Sequence, residues 1–260
     1  MMKESKAKDK EEVVYSVRTD LALEAKEIYS ENNTGKLSGV KSEEYIDKNV
    51  RVTAVKILDE EGAKNIGKPI GEYITLEFPE FVYYDGQRII DVSEVMAKEL
   101  SKLIDLKEDM VALVVGLGNW NITADAVGPK VVSKIMISRH LKEYVPDSID
   151  EGVRPVCAIS PGVLGLTGME TSEIIKGIVD KVKPSIIICI DALASRKTQR
   201  VNRTIQLGNT GISPGAGVGN RRLELSEKTL GVPVIAIGVP TVVDAGTIAN
   251  DTIDLVLESL

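Results

Sequence analysis

The sequence has little of what the commonest catalytic and binding sites require. It contains one histidine, His140, and two cysteines, Cys157 and Cys189, in 260 residues. His140 lies within a predicted surface helix, about three turns from the expected site, so Ser-His-Asp and Cys-His arrangements are disfavoured. A zinc site is poorly supplied as well, because there is no histidine pair, no HExxH and no CxxC motif. We therefore expect no metal and no cofactor.

Long apolar runs and an excess of positive charge are also missing. No run reaches the roughly 18–20 apolar residues that span a membrane, and the N-terminal MMKESKAKDKEE lacks the apolar segment of a signal peptide. The net charge of −7 disfavours non-specific binding of nucleic acid, which needs a basic face. Cys157 and Cys189 lie in apolar runs, so we expect reduced core thiols and a cytosolic protein.

Aromatic residues are scarce too, at 4% of the chain, so the core must consist mainly of Val, Ile, Leu and Ala. Such a core favours packed parallel strands. After residue 90, apolar runs predict four buried strands, at 110–118, 153–160, 185–191 and 232–240. Helical patterns alternate with them, at 93–106, 128–143, 171–182, 221–230 and from about 246 onward.

The region before residue 90 has a different pattern. Residues 31–48 are polar and predict a loop, whereas 50–58 and 72–79 alternate apolar and polar residues and predict an antiparallel strand pair. Taken together, the patterns predict an α/β fold. Its sheet is mostly parallel with helices on both faces, and the antiparallel pair lies at its N-terminal side.

Polar segments rich in glycine and proline follow the predicted strands. Because the carboxyl ends of parallel strands meet at one edge of a sheet, we expect these segments to converge on one rim, where ligands bind in such folds. The segments are 116–129, 160–171, 191–196 together with 206–220, and 238–246.

Acidic residues stand in these segments. Asp125 precedes a predicted helix and Asp191 ends a buried strand, and two close carboxylates can share one proton and activate water. The structural alternatives are a helix cap for Asp125 and an ion pair with Arg196 for Asp191. Glu170 and Asp244 also follow strand ends and are weaker candidates.

The glycines of the same segments fit no nucleotide motif. Gly116 and Gly118 begin a G-x-G pattern, but it continues as NWNI, and the 206–220 loop lacks the G-K-[ST] ending of a phosphate-binding loop. The glycines of that loop can let backbone N–H groups approach a peptide or stabilise an oxyanion, although simple loop geometry explains them equally well. They are Gly208, Gly211, Gly215, Gly217 and Gly219.

Five blocks of the sequence resemble the germination protease family of spore-forming bacteria. They are GLGNWNITADAVGP, SPGVLGLTGMETS, CIDALASR, TGISPGAGVGNRR and GVPVIAIGVPTVVDA. The resemblance runs from about Tyr15 to the C-terminus. It implies an endopeptidase that degrades small acid-soluble spore proteins in the spore core during germination. It also implies a zymogen, a homotetramer and a fold similar to that of hydrogenase-maturation proteases.

The resemblance places the family's two proposed catalytic aspartates on Asp125 and Asp191. It also implies that substrates are cut after an acid followed by a bulky apolar residue and Ala, a pattern that Asp20-Leu21-Ala22 matches. We therefore expect maturation by cleavage between Asp20 and Leu21. Residues 1–20 would be a disordered tail and propeptide, and 21–260 a single α/β protease domain.

Two other functions remain open from the sequence. A non-catalytic peptide-binding module of the same fold would need neither acid, so retention of both Asp125 and Asp191 favours an enzyme. A metal-dependent maturation protease of the hydrogenase type would need a metal-contacting histidine, and no histidine matches that position.

Overall fold

The computed structural model describes residues 19–259 except 34, 36, 79–84, 106, 108, 151, 216–218, 220 and 221. Within this part, eight strands are present: β1 Val40–Asp47, β2 Val50–Ile57, β3 Gly71–Glu77, β4 Ala112–Gly116, β5 Val156–Ile159, β6 Ile186–Ser195, β7 Thr204–Gly208 and β8 Val234–Val243. The helices are α1 Ala22–Asn32, α2 Glu60–Ile66, α3 Gly86–Leu103, α4 Val127–Val132, α5 Arg139–Tyr144, α6 Leu164–Thr167, α7 Thr171–Val182, α8 Glu227–Leu230 and α9 Ala245–Ser259. No described helix has the length and apolar character needed to cross a membrane.

All eight strands form one mixed sheet, in the order β1-β2-β3-β7-β8-β6-β4-β5. The pairs β8-β6, β6-β4 and β4-β5 are parallel, whereas β1-β2, β2-β3, β3-β7 and β7-β8 are antiparallel. The α/β class and the antiparallel pair β2-β3 agree with the sequence prediction. The prediction of a mostly parallel sheet needs correction, because β1, β2 and β3 extend the same sheet through β7 in four antiparallel pairs.

Two strands account for this correction. β1 lies in the predicted loop 31–48, and most of its residues are exposed, so this edge strand lacks the apolar alternation that marks a strand in sequence. β7 was predicted as the start of the 206–220 loop. It runs antiparallel between β3 and β8 and thereby connects the two halves of the sheet.

The predicted helix 128–143 is two short helices, α4 and α5. Between them the chain leaves the helical path and pairs with β5. The Ser138 N–H donates to the Val156 carbonyl over 3.1 Å, and the Ser138 hydroxyl accepts the Val156 N–H over 2.9 Å. The backbone N–H of Ser138 thus finds its partner in β5, so it does not form the hydrogen bond that would continue a helix through this residue.

The parallel strands contribute to three separate apolar clusters. Leu113 of β4 packs in one cluster with Ile175 of α7, and its neighbour Val114 packs in another with Val95 of α3. The side chains of successive strand residues point to opposite faces, which explains why neighbours belong to different clusters. Because β4, β6 and β8 are parallel neighbours, their carboxyl ends lie together at one edge of the sheet.

Candidate active site

A cleft of about 870 Å³ opens at the carboxyl ends of the parallel strands. Residues from all four segments that follow the predicted strands line it, so the expected convergence on one rim is present. The cleft also contains Thr19 and Asp20 from the start of the described chain. Asp125 and Asp191 both face this space.

Asp191 lies near the middle of β6, between β4 and β8, and its residue is 6% exposed. One carboxylate oxygen, Oδ1, accepts the N–H of Ala192 over 2.9 Å. The pKa of Asp191 is raised to about 7, mainly by burial and in smaller part by the negative charges of Asp125 and Asp20, against the effect of this hydrogen bond. The alternative of an ion pair with Arg196 is wrong, because Arg196 pairs with Asp251 at 3.1 Å.

Asp125 ends a short 3-10 turn that begins at Thr123, and it is half-buried. Its carboxylate Oδ2 accepts the N–H of Asn119, six residues earlier, over 2.8 Å. Burial raises the pKa of Asp125, against that hydrogen bond. The helix-cap alternative is not what the structure has, because α4 has Ala126 at its N-cap and no side-chain cap.

Two glycines allow the loop after β4 to fold onto itself. Gly118 has φ +105°, and a Cβ there would lie 2.0 Å from the carbonyl oxygen of Asp125. At Gly128, a Cβ would lie 2.3 Å from the Leu117 carbonyl oxygen and 2.4 Å from that of Ile190. The backbone that follows Asp125 is therefore in direct contact with the residue that precedes Asp191, and this contact brings the two acids to one cleft.

The predicted processing site lies in the same cleft. The Asp20 N–H donates to the Ala194 carbonyl over 2.9 Å, and Asp20 Oδ2 accepts the Ala194 N–H over 2.8 Å. Leu21 is fully buried. Burial raises the pKa of Asp20, whereas the Ala194 hydrogen bond and the nearby Lys68 lower it. Residues 1–18, the greater part of the predicted tail, lie outside the described residues.

The glycines of the 206–220 loop divide into three groups. Gly208, Gly211 and Gly215 line the cleft, Gly219 is exposed, and Gly217 lies outside the described residues.

The two weaker acidic candidates also differ in their positions. Glu170 lines the cleft but pairs with Arg222 at 3.6 Å, and Asp244 is exposed.

Sequence reasoning missed two polar residues of the cleft. Lys68 follows the left-handed Gly67 that ends α2, and Gln206 lies in β7 at 9% exposure. Neither belongs to a motif, and each comes from a part of the chain where the prediction was a loop or was incomplete. Within the described part of the chain, no ion pair engages Asp20, Asp125 or Asp191.

Metal ligands are not assembled in the described part of the chain. No group of three or more His, Cys, Asp or Glu side chains there has an arrangement that could hold an ion. His140 is exposed on α5, as expected for a surface helix residue. Cys157 and Cys189 are free thiols, and of the two only Cys189 is fully buried.

The fold and cleft define an α/β protein with one buried acid, Asp191, and one half-buried acid, Asp125, and neither forms an ion pair with a described residue. Comparison with known proteins then identifies the family. The family model described as germination protease matches residues 18–260. The chain is 66% identical to the germination protease of Clostridium tetani over 245 residues, which cover 94% of this chain and 76% of that protein.

More distant relatives carry the same name. Identity is 60% to the germination protease of Clostridium perfringens strain 13, covering 95% of this chain and 76% of the relative. Identity is 52% to the germination protease of Priestia megaterium, over 94% of this chain and 68% of that protein. The chain belongs to the germination protease family and is thus a protease of spore germination.

Proposed function

We propose that this protein is an endopeptidase that degrades small acid-soluble spore proteins during germination, using Asp125 and Asp191 to activate water. The observation that carries the mechanism is the buried Asp191 carboxyl, with a pKa of about 7, in one cleft with Asp125. A carboxyl with a pKa of about 7 is about half protonated at neutral pH, and a carboxyl pair that holds one proton is what acid-base hydrolysis requires.

The surroundings of the two acids support a division of roles. Asp191 is the deeper group and the one with a pKa of about 7, so it holds the shared proton and donates it to the scissile carbonyl or the leaving amine. Asp125 is more exposed and accepts a proton from the attacking water. Activity is then expected to fall as pH rises through about 7, because Asp191 loses the proton it must donate.

The proposed substrate class is supported by the segment that begins at the cleft residue Asp20. Asp20, Leu21 and Ala22 have the acid, apolar and small residues that the family's substrates are expected to present. The Lys68 ammonium also lines the cleft and acts on the charge of Asp20. We propose that maturation cuts between Asp20 and Leu21, which makes 1–20 the propeptide and 21–260 the mature domain, and that the enzyme is a homotetramer in the spore core.

The central test is cleavage of a purified small acid-soluble spore protein by the full chain, beside Asp125→Asn and Asp191→Asn. Each variant is expected to lose at least about 100-fold in rate, the lower end of what a general acid or base contributes. Asp244→Asn is the matched control, because Asp244 is exposed and does not line the cleft. Thermal unfolding shows whether each variant stays folded.

Other outcomes would point to the alternative functions. A chain that binds the spore protein without cutting it, with or without the aspartates, would be a peptide-binding module. Activity that survives both substitutions and stops on chelation would indicate a metal-dependent protease. Mass spectrometry of the processed chain and sedimentation analysis test the Leu21 terminus and the tetramer.

A further inference from the structure

The side-chain amide of Gln206 bridges the backbone on both sides of Leu21. Its Nε2 donates to the Asp20 carbonyl oxygen over 3.1 Å. Its Oε1 accepts the Ala22 N–H over 2.7 Å. A carbonyl requires a donor and an N–H requires an acceptor, so these two partners fix the orientation of the amide. The carbonyl it contacts belongs to the bond between Asp20 and Leu21.

The position of Gln206 in the sheet directs this amide toward the acidic site. Gln206 pairs with Gly238 of β8, and Gly238 pairs with Asp191 of β6. Paired residues of neighbouring strands project to the same face of a sheet. Gln206 and Asp191 thus lie in one row on one face, with Gly238 between them and the Leu193 side chain packed over that glycine, and both line the cleft.

We infer that Gln206 is a substrate-contacting residue that holds the peptide backbone across the bond to be cut. The inference rests on the proposed protease function and on cleavage between Asp20 and Leu21. Because the amide contacts main-chain groups alone, it sets the register of the peptide without reading side chains. Its Nε2 also lies at the oxygen on which negative charge develops when water adds to the carbonyl.

A purely structural role would explain the same two hydrogen bonds. In that case Gln206 would only attach the start of α1 to the sheet, and its loss would lower stability without a specific effect on the rate of cleavage. The two roles differ in whether the hydrogen bonds contribute to the transition state of hydrolysis, so a kinetic measurement on the bond itself separates them.

The experiment follows loss of residues 1–20 from the full chain by intact mass, for the parent, Gln206→Ala and Gln206→Glu. Both variants lack the Nε2 donor, so each is expected to slow the cut about 100-fold, as removal of one oxyanion donor does. Gln87→Ala is the matched control, since Gln87 is exposed on α3 and contacts Asp91. Thermal unfolding of each variant identifies a loss of fold.

A backbone change makes the test specific. Replacing Ala22 by lactic acid, through nonsense suppression, turns its N–H into an ester oxygen and leaves the bond between Asp20 and Leu21 intact. The ester should slow the cut about 10-fold in the parent, since a lost hydrogen bond is worth about 1.5 kcal/mol. In Gln206→Ala it should slow the cut less than about 2-fold, because the partner is already gone.

Each contrary result has a separate meaning. Equal ester penalties in the parent and in Gln206→Ala, or a parent-like rate in both Gln206 variants, would overturn the inference. A parent that degrades spore protein but is never cut after Asp20 would overturn it as well, while the proposed protease function stands. A parent that cuts neither itself nor spore protein would remove the proposed function.

Discussion

Two groups of acidic side chains differ in whether they form ion pairs. In the first, the Arg200 cluster, the guanidinium of Arg200 pairs with Glu24 at 3.3 Å, Glu27 at 2.7 Å and Glu77 at 2.7 Å. In the second, the cleft acids Asp20, Asp125 and Asp191, no ion pair forms with any described residue.

The pKa values of Glu27 and Asp191 move in opposite directions. Burial alone would raise the pKa of Glu27, but hydrogen bonds from Arg200 and Lys197 outweigh it and lower the pKa to about 2. At Asp191 the burial effect has no cation to oppose it, and the pKa rises to about 7. Burial of an acid therefore does not by itself indicate function, and the absence of an ion pair distinguishes the cleft acids from those of the Arg200 cluster.

These two carboxyls, Glu27 and Asp191, also act on stability with opposite signs. A lowered carboxyl pKa contributes stability that is present above about pH 4.5 and is lost as pH falls toward 2. A raised carboxyl pKa, as at Asp191, favours the folded state at low pH, and this contribution to stability is lost as pH rises toward 7.

The largest expected effect comes from removing the cation of the Arg200 cluster. Arg200→Met leaves Glu24, which is fully buried, without its charged partner. We expect a loss of about 3–5 kcal/mol in the free energy of unfolding, measured with urea at pH 7. Arg51→Met is the control, because its pair with Glu44 is more than half exposed on both sides and should change stability by less than about 1 kcal/mol. Similar losses in both variants would contradict the comparison.

The next effect has the opposite sign. Asp191→Asn removes a buried carboxyl that is charged above its pKa. We therefore expect a larger free energy of unfolding at pH 8 and no gain at pH 4. The gain is at most about 4 kcal/mol, since each pKa unit between 3.8 and about 7 corresponds to about 1.4 kcal/mol. Urea unfolding at the two pH values measures it, with Asp244→Asn as the control. A gain that is equal at both pH values would show that charge is not its cause.

The smallest expected effect concerns the coupling of the two site acids. Burial is the main cause of the raised pKa of Asp191, and the charge of Asp125 adds to it. Asp125→Asn should therefore lower the pKa of Asp191 only modestly below about 7. A carboxyl carbon NMR titration of the labelled aspartate measures this change. A pKa that stays unchanged would mean that the two groups do not share a proton.

The sequence predicted the structure best for elements whose signals lie within the segment itself. The run SIIICID predicted a buried strand, and β6 is largely buried along this run, but the strand continues past Asp191 to Ser195. The helix 171–182 was predicted with the bounds that α7 has, since its capping residues and apolar spacing are local features.

The missed features depend on distant parts of the chain. Gln206 contacts Asp20 across 186 residues, and the partners of Arg200 lie 123 to 176 residues away. No spacing rule connects positions so far apart. β7 was missed for a related reason. Its residues resemble the start of a glycine-rich loop in sequence, and only the pairing with β3 and β8 makes them a strand.

The contact at Gly128 has a consequence for the variation that this chain tolerates. Three backbone atoms lie within 2.5 Å of the place where a Cβ would stand, two from Leu117 and one from Ile190. None of them is the end of a side chain that can rotate away. Among randomised codons at position 128, selection for spore-protein degradation should return glycine alone, although this residue carries no reactive group.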